Sequence, residues 1–247
     1  MNPEFPAMVR YASERDIRTV TSTNGHFLNN EDYLAEVLSS GLTTMIVAID
    51  SLKQIGYDAY RHKGSVDKAI SGLEKAVKMK KKLGSDTTIV LRMMIMKQNE
   101  DELEAMRDFA KAMKVDIFAV KTVYPTQGLI SAGEEFLPDN PKYRRYIYKK
   151  GTNEPVKAVG ECLYVWHSSN IFTNGNVASC CRDYDAEYNL GNVFKTPFSK
   201  IWHGRAYREF RKRVYLNKSS FEKCRNCSIN FQLSESGWFP ETLDLRH

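Results

Sequence analysis

Five cysteines occur in 247 residues, all of them between positions 162 and 227, and they are the side chains whose spacing can do chemistry. Cys180 and Cys181 are adjacent in GNVASCCRDY, Cys224 and Cys227 form a Cys-x-x-Cys pair in KCRNCS, and Cys162 lies 18 residues before Cys180. Two intervening residues let the chain turn so that both sulfurs of such a pair reach one metal centre, and a hairpin end plus an upstream residue can supply two more. Zinc accepts four sulfurs, but a zinc ribbon usually brings two Cys-x-x-Cys knuckles and this sequence has one. The spacing therefore favours an iron-sulfur cluster, with a zinc-stabilised structural domain as the alternative. The odd cysteine count, the lack of an apolar leader and the lack of any run of 18 apolar residues argue against a secreted disulfide scaffold or a membrane span. A reduced, cytoplasmic protein is expected, in which clustered cysteines serve metals more often than bridges.

These thiols need elements to hold them, and the first half of the chain needs a fold of its own. Residues 17–23, 43–49, 88–96 and 116–123 are short β-branched or apolar runs of the kind found in buried parallel strands. Amphipathic stretches at 3–15, 30–40, 65–84 and 99–113 precede them in turn, the last opened by Asn99 and Glu102 at capping-box spacing. The grammar is that of βα units in an α/β fold, and four of them are too few to close a barrel. Arg92 interrupts the third strand on the face shared by Val90 and Met94. A buried guanidinium without a partner costs several kcal/mol, so Arg92 calls for an anion. Ligands of parallel βα folds sit where loops leave the carboxyl ends of the strands. There the sequence offers Thr23-Asn24-Gly25, Asp50-Ser51 and Lys97-Gln98, with Lys121 inside the fourth strand. The plainer reading makes Thr-Asn-Gly a turn and Asp50 a helix cap.

Three segments are expected: 1–124 as the βα region, 125–159 as a connector punctuated by proline and glycine, and 160–247 as a small α+β domain with a tail. Asn174-Gly175 predicts a β-hairpin whose second strand delivers Cys180, and residues 198–216 read as one amphipathic helix. Trp166, Trp202 and Trp238 read as core, and the five histidines show no ligand spacing. KYRRYIYKKG (142–151) and REFRKR (208–213) interleave cations with aromatics, as a basic nucleic-acid-binding module would. With 36 basic and 30 acidic residues interspersed and a net charge of +6, composition does not demand a polyanionic partner, and nucleic acid is not the expected one.

The order Cys162, Gly175, Cys180, Cys224-x-x-Cys227 resembles the SPASM/twitch auxiliary-cluster domain of radical S-adenosylmethionine (radical SAM) enzymes. With no cysteine after Cys227 it is similar to the shorter twitch form. The resemblance implies one auxiliary four-iron four-sulfur (4Fe-4S) cluster on Cys162, Cys180, Cys224 and Cys227, with Cys181 a neighbouring packed thiol. TSTNG, VAIDS and IVLRMMIMK resemble the third, fourth and fifth strands of the family's partial barrel of six βα units. It implies that Thr23 and Asn24 lie near bound S-adenosylmethionine, Asp50 near its ribose and Arg92 near its methionyl carboxylate. The Cys-x-x-x-Cys-x-x-Cys that holds the radical-generating cluster and the Gly-Gly-Glu-Pro segment that binds the methionyl amine do not occur in these residues. The expectation is therefore an N-terminally truncated relative that binds the auxiliary cluster but does not cleave S-adenosylmethionine alone. S-adenosylmethionine would be bound productively only in a full-length form. The partners implied are a peptide or small-molecule substrate and an electron-donor protein, without a membrane.

Overall fold

A computed structural model describes residues 2–123, 135–152, 155–157, 161–225, 227, 230 and 241–246. The chain divides into two compact units. The described part of the first comprises 2–123, 135–145 and 241–246, and that of the second lies within 146–230.

The four β-branched runs of the first unit form β1 (Val20–Thr23), β2 (Thr44–Ala48), β3 (Thr88–Ile95) and β4 (Ile117–Thr122), paired side by side and parallel. Helices α1 (Phe5–Ser13), α2 (Glu31–Leu38), α3 (Gln54–Asp58), α4 (Val66–Leu83) and α5 (Leu103–Met113) alternate with them. Period-two alternation sends Ile89, Leu91, Met93 and Ile95 of β3 to one face, where all four are fully buried. Met45 and Val47 of β2 and Phe118 and Val120 of β4 join them against Leu34, Leu73 and Met106 of the helices. Each such side chain contributes about 1.5–3 kcal/mol by leaving water. The opposite face is partly open and carries the polar groups: Ala48, Arg92 and Ala119 lie in one cross-strand row, and Met94 pairs with Lys121 in the next.

The long helix α4 is fixed at both ends. Ser65 accepts from the Lys68 amide at 3.2 Å, Gly84 closes the helix at φ 62°, and Lys80 reaches Asp116 at 2.6 Å. Two glycines let the loop after β1 rest directly on this helix. Gly25 has φ 88°, and a Cβ added at Gly72 would stand 2.1 Å from the Gly25 carbonyl oxygen.

Two features depart from expectation here. Asn99 and Glu102 do not form a capping box. The Asn99 amide is fully buried, accepts from the Met96 amide at 2.7 Å and donates to the carbonyls of Asp50 and Met94 at 2.6 and 2.9 Å. Glu102 instead accepts from the Ser51 hydroxyl and the Leu52 amide, both at 2.9 Å. Both side chains staple the loops after β2 and β3, because buried backbone groups must be paired and these side chains pair them. The tail also departs: β7 (Thr242–Asp244) pairs antiparallel with β4, so the sheet order is β1-β2-β3-β4-β7. Arg107 of α5 fastens it through a two-pronged contact with Glu241.

In the second unit Gly175, at φ 81°, turns the expected hairpin, with β5 (Asn170–Ile171) antiparallel to β6 (Val177–Ala178). Helix α6 (Tyr164–His167) precedes it. The segment read as one helix is two, α7 (Phe198–Trp202) and α8 (Arg205–Asn217), because Gly204 adopts extended φ/ψ between them. A short α9 (Glu222–Arg225) follows. Val165, Phe210, Val214 and Phe221 form one small core and Val177, Ile201 and Tyr207 another. Trp202 packs on the second, whereas Trp166, expected in the core, is 51% exposed. Trp238, His247 and the connector stretches 125–134, 153–154 and 158–159, with the flanking residues 124 and 160, lie outside the described residues. The remainder of the connector is shared: 135–145 sits with the first unit, and Tyr148 bridges Pro155 in the second. Among the described residues no helix is long and apolar enough to cross a membrane.

Candidate functional site

The second unit brings four of its five thiols to one place. Cys162 just before α6, Cys180 after β6, and Cys224 and Cys227 in and after α9 line a single cavity, together with Val165, Tyr188 and Phe210. All four are half-buried and free, whereas Cys181 is exposed and not among the residues lining the cavity, so it is not the packed thiol expected. Burial, reinforced by Cys180, Cys227 and Cys162, pushes the Cys224 thiol up to about 12. Burial also raises Cys180, although the amides of Arg182 and Asp183 hydrogen-bond its sulfur and oppose the shift.

Around the thiols stand cations. Arg182, Lys218 and Lys223 line the same cavity, and among the described residues the buried Lys218 Nζ has no hydrogen-bond partner. A buried ammonium of this kind is costly unless an anion shares its cavity. Lys223 has a structural duty as well. It meets buried Asp183 at 2.9 Å and also contacts Asp185 and Glu187, while Asp183 accepts from the amides of Glu187 and Tyr188 at 2.9 and 3.0 Å. The clamp ties the segment after Cys180 to the helix bearing Cys224. Asn230 adds a second tie by donating to the Cys224 carbonyl at 2.8 Å.

Among the described residues no group of three or more His, Cys, Asp or Glu side chains is arranged to hold a metal ion. A single zinc ion draws four sulfurs to about 2.3 Å from one point. Thiols that ring a cavity without converging on a point suit a polynuclear cluster better, and amides donating to sulfur and nearby cations suit its negative thiolate shell. The residues present therefore fit an iron-sulfur group, whose chemistry when bound is one-electron exchange.

In the first unit the loops at the carboxyl ends of β1 and β2 enclose a cleft of about 570 Å³ lined by Asn24, His26, Tyr57, Tyr60, Arg61, His62, Lys63 and Gly64. Asn24 therefore reaches a cleft, although its side-chain oxygen and the Thr23 hydroxyl also accept from the amides of His26 and Gly25 to close the turn. Asp50 is 1% exposed and is not a helix cap. Its carboxylate accepts from Arg61 Nε at 2.6 Å and from the Met94 amide at 2.9 Å, so a ligand in the cleft meets Arg61 first. Arg61 was not legible in the sequence, where it sits in a loop beside His62 and Lys63. Arg92 donates to Ser22 at 2.9 Å on the open face; desolvation pulls its pKa down, Asp50 opposes this and Arg61 adds to it. Lys121 on the same face is pulled down by partial burial and by Arg92 and Arg145. Asp50, Arg61 and Arg92 thus form one electrostatic group, and Thr23 stands apart from it as a turn residue.

An open parallel sheet with a polar carboxyl end, joined in sequence to a compact unit whose thiols ring a cationic cavity, defines a cluster-bearing α/β protein. Residues 1–110 match the model of the radical SAM superfamily and residues 162–228 that of the SPASM iron-sulfur cluster-binding domain, so the chain carries a radical SAM region followed by a SPASM region. Among curated relatives, Fe-coproporphyrin III synthase of Methanosarcina barkeri is 24% identical over 269 residues, covering 92% of this chain and 65% of that protein. GTP 3',8-cyclase of Campylobacter jejuni is 26% identical over 147 residues, covering 57% of this chain and 43% of that protein. Solved structures share the fold. Streptococcus suis SuiB bound to S-adenosylmethionine superposes with a TM-score of 0.59 at 14% identity, over 95% of this chain and 63% of that one. BtrN in complex with AdoMet and 2-DOIA gives 0.50 at 17% identity, over 96% and 72%. The chain therefore spans less than two thirds of the curated relatives it matches.

Proposed function

We propose that this chain supplies the S-adenosylmethionine-facing βα units and a single auxiliary 4Fe-4S centre of a radical SAM enzyme that abstracts hydrogen from a peptide or small metabolite. The observation that carries the reading is the common cavity of Cys162, Cys180, Cys224 and Cys227, which also holds the Lys218 ammonium, without a hydrogen-bond partner among the described residues. Those four thiolates hold the cluster and the cations around them offset its charge. With all four ligands supplied by protein, no iron is left open for substrate, which favours an electron-transfer or structural role, served by an electron-donor protein. In the first unit Asn24 and Arg61 line the cleft for S-adenosylmethionine, Asp50 orients Arg61, and Arg92 on the open face offers its charge to the methionyl carboxylate. Thr23 shapes the turn that presents Asn24.

The residues before Cys162 contain no cysteine, so they hold no ligand set for the radical-generating cluster. By themselves the 247 residues bind the auxiliary cluster and do not produce a 5'-deoxyadenosyl radical. Relatives named for Fe-coproporphyrin III and for GTP point to no single substrate. The test is anaerobic loading with iron and sulfide, followed by iron, sulfide and zinc analysis. Four irons and four sulfides per chain, lost in Cys224→Ser but kept in Cys181→Ser, support the reading. One tightly held zinc with no iron uptake identifies a structural zinc domain instead.

A further inference from the structure

Helix α8 places Arg208, Arg211, Lys212 and Tyr215 at i, i+3, i+4 and i+7, on one face. Across from them stands Trp166 of α6, and the five residues line a cleft of about 420 Å³, within the size range of small-ligand sites. Arg211 forms its floor. It is 8% exposed, donates to the carbonyls of Val165 and Trp202 at 2.9 and 3.0 Å, and lies 4.1 and 4.3 Å from the ring centroids of Trp202 and Tyr207. Among the described residues its Nη2 has no hydrogen-bond partner, and no carboxylate pairs with Arg208, Arg211 or Lys212. The acid within the run, Glu209, is held by Arg205 at 2.6 Å. Three cations sharing a cleft without an acid create a positive field that the rings beneath Arg211 soften but do not cancel. Trp166 and Tyr215 are 51% and 81% exposed, and Arg211 Cζ lies 5.6 Å from the Trp166 ring centroid, so both aromatic rings are open to a ligand beside the cations.

We propose that this cleft binds a small ring-bearing anion, a carboxylate or phosphate on a flat apolar body. The ring stacks on Trp166 and Tyr215, the anionic group meets Arg208 and Lys212, and Arg211 supports it from below. The cleft backs onto the thiol cavity: Val165 and Phe210, the residues just before Trp166 and Arg211, line that cavity from the same two helices. The basic run 208–213 thereby gains a role other than nucleic-acid binding.

Isothermal titration calorimetry of the full chain with 1-naphthoate, 1-naphthyl phosphate and neutral 1-naphthalenemethanol tests the site. One saturable event per chain is expected for an anion, at least tenfold weaker for the alcohol and at least tenfold weaker in Arg208→Ala/Lys212→Ala. Both replaced residues are exposed, so the variant folds, and an unchanged melting curve checks this. Trp166→Ala should abolish the preference for naphthoate over acetate while leaving the charges in place. Comparing the two anions decides between carboxylate and phosphate. Equal affinity for alcohol and anion, undiminished binding in the double variant, one ligand bound per two chains, or binding of an RNA 12-mer alone would each overturn the proposal.

Discussion

Replacing Asp183 by alanine removes the hub of the clamp beside the thiols, and the cost follows from the bonds this carboxylate makes. Asp183 is 3% exposed and satisfies Lys223 and the amides of Glu187 and Tyr188. Removing one member of a buried ion pair typically costs about 3–5 kcal/mol. Lys223 keeps Asp185 and Glu187, whose side chains are 55% and 48% exposed, so breaking the pair comes nearer to about 2–3 kcal/mol. Two orphaned amides add about 1 kcal/mol together, at the low end because the loop relaxes toward water. The sum is roughly 3–4 kcal/mol of local stability. Urea titration followed by tryptophan fluorescence reads this, since Trp166 and Trp202 both lie in the second unit. Asp183→Asn, which keeps an acceptor for one amide, should lose about half as much. A loss under about 1 kcal/mol would refute the clamp.

Lys218→Met should leave metal loading intact and lower the reduction potential of the loaded centre. Each tenfold change in the one-electron equilibrium reads as about 59 mV, and an unchanged potential removes Lys218 from the cluster's surroundings. In metal-free protein at pH 8, iodoacetamide should label exposed Cys181 first and Cys224 last. A thiol with pKa near 12 is ionised in roughly one molecule in ten thousand at pH 8, against about a quarter for an ordinary thiol. Raising the pH to 10 should speed Cys224 labelling about a hundredfold, and early labelling of Cys224, read by peptide mass spectrometry, contradicts its placement. Gly72→Ala should destabilise the first unit by more than about 2 kcal/mol, because its Cβ falls 2.1 Å from the Gly25 oxygen; a neutral melt would show that the loop after β1 does not rest on α4.

What the sequence made legible is what local chemistry decides. The runs of β2, β3 and β4 became parallel strands because their alternating side chains are buried under helices, while β1, with no fully buried side chain, pairs at the edge of β2, and Asn174-Gly175 turned a hairpin because few other residues accept positive φ. Four thiols share a cavity because the knuckle, the hairpin end and the residue before α6 are local devices of short reach. What remained hidden depends on tertiary partners. Thr242–Asp244 is a short strand of ordinary polarity whose place follows from the edge of β4 and the grip of Arg107 on Glu241. Asn99 and Glu102 carry the spacing of a cap, yet buried carbonyls and amides of other loops outcompete the helix for them. Gly204 breaks a segment whose apolar periodicity runs straight through it. Arg61 and Lys218 look like solvated cations until Asp50 and the thiols are placed beside them.

The quartet of thiols is best tested by diffraction from anaerobically loaded crystals, with anomalous maps recorded on both sides of the iron absorption edge. The account predicts a compact set of four iron peaks enclosed by the sulfurs of Cys162, Cys180, Cys224 and Cys227, with Cys181 outside it. A lone peak that persists only at the zinc edge, or iron bound anywhere that excludes two or more of those sulfurs, would contradict it.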